Sequence, residues 1–108
     1  MANIFHFLFS REKKLFGMLA HQSEIAADAT KLLKNFIKEF NDFEKKERKS
    51  KTSLIKESWC KSSKIRDSLI ESLDNISTKG KETSQMSILL DEIASLAYKT
   101  SVKFVIFN

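Results

Sequence analysis

The sequence contains no proline, only two glycines and a single cysteine among its 108 residues. Proline and glycine are the residues that most often interrupt helices or build tight turns, so their scarcity predicts long helices with few connections. One cysteine excludes an internal disulfide bond and a zinc site made of several cysteines. The chain length fits one domain, residues 1–108, with one modest hydrophobic core.

Long hydrophobic runs are also missing. The apolar stretch near the N-terminus, Ile4–Phe9, is followed at once by the charged sequence REKK, and no basic residue precedes it. It is too short for a membrane span or for the apolar region of a signal peptide. We therefore expect a cytoplasmic protein without a membrane span.

Positive charge is abundant but unevenly distributed. The net charge is +5, and the segment from Glu44 to Arg66 has nine basic and three acidic residues, or +6, which leaves −1 for the remainder. Such a segment suits nucleic acid, anionic lipid or an acidic protein surface. The simpler interpretation, which we favour, is a solvated corner in which Glu44 pairs with Arg48 and Glu47 with Lys51. The candidate interaction residues here are Lys45, Lys46, Arg48, Lys49 and Lys51.

The apolar residues follow a heptad spacing that predicts a first helix at about residues 11–43. Its seam, with steps of three and four, is Leu15, Leu19, Gln22, Ala26, Ala29, Leu33, Phe36 and Phe40. Ser10 is the expected N-cap. Gln22 is the one polar position of the seam, and a polar residue there commonly fixes the register of packed helices.

The apolar phase slips within the charged run EKKERKSK, which predicts a turn before a second helix at about residues 50–77. The second seam is Ile55, Ser58, Ser62, Ile65, Leu69, Ser72 and Ile76. Gly80 is a helix-stop signal, and Thr83 or Ser84 is the next expected N-cap. A third helix is expected at 83–107, with the seam Met86, Leu90, Ile93, Ala97, Thr100, Phe104 and Phe107. Its tail, SVKFVIFN, also suits a strand by propensity, but a lone strand would lack a partner.

These segments predict an all-α protein, an antiparallel three-helix bundle with long helices in up-down-up order. Such a slender bundle leaves several apolar side chains without obvious cover, and this favours a larger assembly, in the first place a homodimer. The side chains concerned are Phe5, Phe9, Phe16, Leu96, Val105 and Ile106.

Two segments resemble the PhoU-like phosphate transport regulators of the small cytoplasmic type. FHFLFSREKKLFGMLAHQSEIAADATKLLKNFI is similar to the opening of that family, and LDEIASLAYKTS to the start of its third helix. The resemblance implies bundles of long helices, iron or other metal clusters held by carboxylates, and a regulatory role. Family members have two three-helix repeats, and this chain corresponds to one. The implied partners are a second copy, a full-length homologue or a phosphate permease.

The chain departs from this family at the metal-ligand positions. Where the family has an acidic and histidine-rich stretch on the second helix, this sequence has Trp59, Cys60 and Ser63, and Ser95 stands four residues after Asp91. We therefore predict neither a metal cluster nor another cofactor. The weak residual candidates for a cation site are Asp91, Glu92, Glu24 and Asp28.

The neighbouring Trp59 and Cys60 raise the question of redox or nucleophilic chemistry. That chemistry needs a base or a second thiol, and the two histidines, His6 and His21, both lie outside the second helix. We therefore expect no enzymatic activity, and Trp59 is interpreted as a core-edge residue or an interface anchor. The leading hypothesis is a phosphate-transport-related regulator acting through protein–protein contacts. The competing hypothesis is a basic helical module that binds nucleic acid or an anionic surface.

Overall fold

The computed structural model describes the backbone of residues 2–73 and 79–108, and the side chains of residues 13–73 and 81–108. It contains α1 (Ala2–Lys38), a short 3-10 helix (Phe40–Asp42), α2 (Lys45–Leu73) and α3 (Lys79–Phe107). Each long helix packs against the other two in a bundle of 62 × 17 × 16 Å. The described residues include no strand, and the predicted all-α three-helix bundle is confirmed.

The first two helices begin earlier than predicted, and α1 ends at Lys38, five residues before the predicted end at residue 43. α1 begins at Ala2, nine residues before the expected start, so Ser10 lies inside the helix and does not cap it. No glycine or proline interrupts residues 2–10, which explains the continuation. α2 begins at Lys45, five residues before the expected start. Lysine, glutamate and arginine are good helix formers, so most of the charged run forms the first turns of α2.

The start of α3 also differs from the prediction. α3 begins at Lys79, so Gly80 lies in its first turn, and neither Thr83 nor Ser84 caps the helix. A glycine costs little there, because the first turn of a helix has few internal hydrogen bonds to weaken. α2 ends at Leu73, and residues 74–78, which include the predicted seam position Ile76, lie outside the described residues. The tail of α3 is helical to Phe107, as the seam indicated.

The seams of α1 and α2 are confirmed, but that of α3 is wrong at every second position. Met86, Ile93, Thr100 and Phe107 are exposed. The residues that face the bundle interior are instead Ser87, Asp91, Ala94, Ala97 and Ser101. Small side chains let α3 approach its neighbours closely, and the aspartate has hydrogen-bonding partners on α2. The residues that face the interior are therefore Ser87, Ala94 and Ser101, each one position after the residue that was predicted there.

The core consists of two apolar clusters on either side of a polar layer. One cluster is rich in aromatic side chains, with Phe40 edge-on to Phe104 at 4.8 Å between ring centroids and Phe36 6.3 Å from the same ring. The other contains Leu15, Leu69 and Leu73. Leu15, in the first half of α1, meets the end of α2, whereas Phe36, near the end of α1, packs in the same cluster as Ile55 in the first half of α2. These two helices are therefore antiparallel.

Candidate functional site

The polar layer joins all three helices through Gln22, which is fully buried. Its Nε2 donates to the carbonyl oxygen of Ser87 at 2.9 Å and to the hydroxyl oxygen of Ser62 at 3.2 Å. The Ser87 hydroxyl in turn donates to Gln22 Oε1 at 2.6 Å. Each end of the amide is therefore satisfied, as burial requires. The sequence prediction that Gln22 is a polar register position fits this arrangement.

The same layer continues to Asp91, which is only 5% exposed. Its Oδ1 accepts hydrogen bonds from Ser63 at 2.8 Å and from Ser62 at 3.2 Å, and its Oδ2 forms an ion pair with Arg66. Ser62 thus connects the Gln22 amide to the Asp91 carboxylate. A charge-assisted pair of this kind, with both carboxylate oxygens engaged, stabilises the folded chain.

The residual cation site is not assembled. Glu24, Asp28 and Glu92 are exposed, and within the described part of the chain Glu24 pairs with His21 on the same helix, with Nδ1 and Oε2 3.9 Å apart. Among the residues that the structure describes, no three histidine, cysteine or acidic side chains lie close enough to share a metal ion. The Arg66 guanidinium lies against Asp91, where it would repel a cation. The described residues therefore do not bring together the carboxylates that the family resemblance implies for a metal cluster.

Trp59 lies at the edge of the core between α2 and α3. Its ring stacks on Tyr98 with centroids 5.7 Å apart and planes at 27°, and Lys99 Nζ lies 5.9 Å from the indole centroid. Its Nε1 is buried and has no acceptor within the described part of the chain. Cys60 is exposed on the same helix. Of the two interpretations of Trp59, this packing favours the core-edge residue over the interface anchor.

The predicted basic residues lie in the first turns of α2, where Lys45, Lys46, Lys49 and Lys51 are exposed. Arg48 lies over the Phe40 ring, 3.8 Å from its centroid, and its Nε donates to the Phe40 carbonyl at 3.2 Å. Lys51 Nζ lies 5.4 Å from the centroid of Phe43. The expected ion pairs of Arg48 with Glu44 and of Lys51 with Glu47 do not form among the described side chains. These cations instead lie over the rings of Phe40, in the short 3-10 helix, and Phe43, just after it.

A groove of about 410 Å³ lies between the start of α2 and the end of α3. One wall is cationic and the opposite wall is aliphatic. We call it the basic groove and define it by Lys45, Arg48, Lys49, Val102, Val105 and Ile106. The sequence identified the cations of this groove, and it identified Val105 and Ile106 as apolar residues without obvious cover. It did not indicate that these residues of α3 would face the cations of α2.

A second groove, of about 450 Å³, lies between α1 and α3 near their N-terminal halves and is almost entirely apolar. We call it the outer groove and define it by Phe16, Leu19, Ala20, Met86, Leu89 and Leu90. It continues along α3 as an exposed stripe, the outer stripe, which consists of Met86 (52% exposed), Leu89 (58%), Ile93 (44%) and Leu96 (62%). Phe16 and Leu96 were predicted as apolar residues without cover, whereas Met86 and Ile93 were predicted in the core. The seven-residue repeat of Ser87, Ala94 and Ser101 was the signal for the true inner face.

Comparison with known proteins finds no family model, curated protein or solved structure that matches this chain. None of the described helices has an apolar stretch long enough to cross a membrane.

Proposed function

We propose that the protein is a non-enzymatic helical interaction module that forms a homodimer through the outer groove and the outer stripe. The observation that carries this proposal is the position of the large apolar residues of α3. Four of them lie outside the bundle at steps of three, four and three residues, each at least 44% exposed. That spacing is the one by which a helix packs against a second helix.

The free energy of burial favours a partner on this face. Apolar surface contributes roughly 25 cal/mol per Å² removed from water. Burying four half-exposed aliphatic side chains and Phe16 against a partner would therefore contribute several kcal/mol to association. Monomeric proteins rarely leave such residues contiguous unless they form a binding surface. The adjoining groove between α1 and α3 supplies the concave counterpart.

We propose a second copy as the occupant because one face of the bundle carries both an apolar groove and an exposed apolar stripe. The outer stripe and the outer groove adjoin on α3 and share Met86 and Leu89, so a two-fold axis would bring the apolar surface of each copy against that of the other. Charged side chains flank the face but do not line the groove, which consists of apolar and small residues. Dimerisation would therefore bury no unpaired charge from the lining of the groove.

The resemblance to PhoU-like regulators gives this module its proposed context, the regulation of phosphate transport in the cytoplasm. A full-length homologue would present helices of the same kind, so it is the proposed alternative to a second copy, followed by a phosphate permease. What supports this context is the sequence resemblance together with the bundle of three long helices. We propose that the protein acts through contacts with a partner, because the polar side chains of the buried layer form hydrogen bonds with one another.

The test compares two matched substitutions, Leu89→Lys in the outer stripe and Leu54→Lys on α2, where Leu54 is also exposed (42%). Sedimentation equilibrium gives the molecular mass across a concentration series. We expect a dimer for the parent and for Leu54→Lys, and a monomer for Leu89→Lys, because a buried lysine would lack a counter-charge in the interface. A parent that remains monomeric throughout would overturn the homodimer. Equal dimerisation of both variants would place the contact elsewhere.

A further inference from the structure

We propose that the basic groove is a binding site for an amphiphilic anion, a single short alkyl chain that bears a carboxylate or phosphate head group. The site lies beyond the proposed dimer face, since Val105 lies nine residues along α3 from Leu96, the last residue of the outer stripe, a distance of about 14 Å along the helix axis. The proposal rests on the charge, shape and preorganisation of the groove.

The two walls of the groove differ in chemistry. Lys45, Arg48 and Lys49 form the α2 wall, and Val102, Val105 and Ile106 form the α3 wall. No acidic side chain lines the groove, so the three positive charges have no counter-charge within it. An anionic head group complements the first wall and an aliphatic chain complements the second.

Arg48 is held in place before any ligand arrives. The Phe40 ring supports its guanidinium at 3.8 Å, and its Nε is bound to the Phe40 carbonyl at 3.2 Å. Neither of its terminal nitrogens donates to another described residue. These two nitrogens form the fork that binds a carboxylate or phosphate through two hydrogen bonds. A side chain that is already ordered loses less conformational entropy on binding, which favours affinity.

The size and lining of the groove favour this ligand over a macromolecule. A volume of about 410 Å³ lies in the range of small-molecule sites and is short for a docked helix. Single-stranded nucleic acid would require aromatic rings on which bases stack, and the lining has none. The aliphatic wall would contribute nothing to binding a phosphodiester backbone.

The test is a titration of the ¹⁵N-labelled full chain with n-octyl phosphate, kept below its micelle concentration and followed by amide chemical shifts. We expect saturable one-to-one binding, with the shifts confined to residues 45–52 and 102–108. Inorganic phosphate has only the head group, and n-octanol has only the chain, so each should bind far more weakly. Equal binding of phosphate alone, or shifts spread along α2, would overturn the proposal.

Two sets of variants separate the contributions of the walls. Lys45→Gln with Lys49→Gln should weaken octyl phosphate binding by about three- to thirtyfold, the effect of two partly solvated charges. The matched control is Lys61→Gln with Lys64→Gln, which removes the same charge from exposed positions of α2 outside the groove. Val105→Ser should weaken octyl phosphate but leave the response to phosphate unchanged. Equal losses in the two lysine pairs would contradict the site.

A final arm distinguishes a free amphiphile from a membrane surface. The parent is sedimented with vesicles that contain phosphatidylglycerol. Sedimentation with vesicles in the absence of saturable octyl phosphate binding would overturn the proposal in favour of a general anionic surface. Saturable binding that requires Lys45 and Lys49 supports it. Neither result depends on the oligomeric state, which the Leu89→Lys comparison tests separately.

Discussion

The two faces of α3 reverse the usual distribution of residue types. The inner face carries Ser87, Asp91 and Ser101, whereas the outer face carries Leu89 and Leu96. A rotation of α3 by about one residue would turn Met86 and Ile93 inward, but it would also separate Asp91 from Ser63 and Arg66. The difference shows that close approach and complete hydrogen bonding decide which face turns inward, even where the other face is more hydrophobic.

The largest effect is expected from removing the charge on the inner face. Asp91→Ala leaves the half-buried Arg66 guanidinium and two serine hydroxyls without their acceptor, and we expect a loss of about 3 kcal/mol in the free energy of unfolding. The measurement is urea denaturation followed by circular dichroism. The control is Glu92→Ala, an exposed neighbour that should change stability by less than about 0.5 kcal/mol. Equal effects at the two positions would mean that the inner face of α3 is not the one assigned.

An intermediate effect is expected from enlarging a small inner residue. Ala94 is fully buried where α3 approaches its neighbours. Ala94→Leu should therefore cost about 2 kcal/mol through overpacking. Thr100→Leu introduces a leucine at an exposed position of the same helix, and its thermal unfolding midpoint should stay within a few degrees of the parent. An Ala94→Leu protein as stable as the parent would contradict the close approach of α3.

The smallest effect is expected at the centre of the polar layer. Gln22→Leu removes the hydrogen bonds to Ser62 and Ser87 but adds apolar surface at a buried site, so the net loss should be about 1 to 2 kcal/mol. Gln85→Leu is the matched control, because Gln85 is exposed on α3. Denaturation curves for both variants provide the measurement. A stabilised Gln22→Leu variant would mean that the layer contributes to register and not to stability.

The sequence predicted those parts of the fold in which hydrophobic periodicity and burial coincide. In α1 the seam from Leu15 to Phe40 is mostly apolar, and its residues are buried or half-buried. In α3 the apolar periodicity indicated the wrong face, because the inner face follows the repeat of small residues that begins at Ser87 and because the residues that satisfy Asp91 lie on α2. The cations at the start of α2 were predicted as a group, but the partners of Arg48 and Lys51 are phenylalanine rings and not acids.

Two adjacent candidate acids of α3 also lie in different environments. Sequence spacing identified Asp91 and Glu92 together, yet one is buried in an ion pair and the other is exposed. Adjacent residues on a helix point about 100° apart, so only the packing angle of α3 decides which of them meets Arg66. That angle depends on contacts with two other helices, which a single seam does not encode.

The elongated shape of the bundle affects how its size appears in solution. The Cα radius of gyration is 17.4 Å, whereas a compact protein of this length would have a radius of about 13 Å. The observed value corresponds to a compact chain of about 230 residues. A single copy will therefore have a radius of gyration in solution that resembles that of a compact protein of roughly twice its mass. That radius alone would imitate a dimer, and methods that weigh the particle are needed to separate the two.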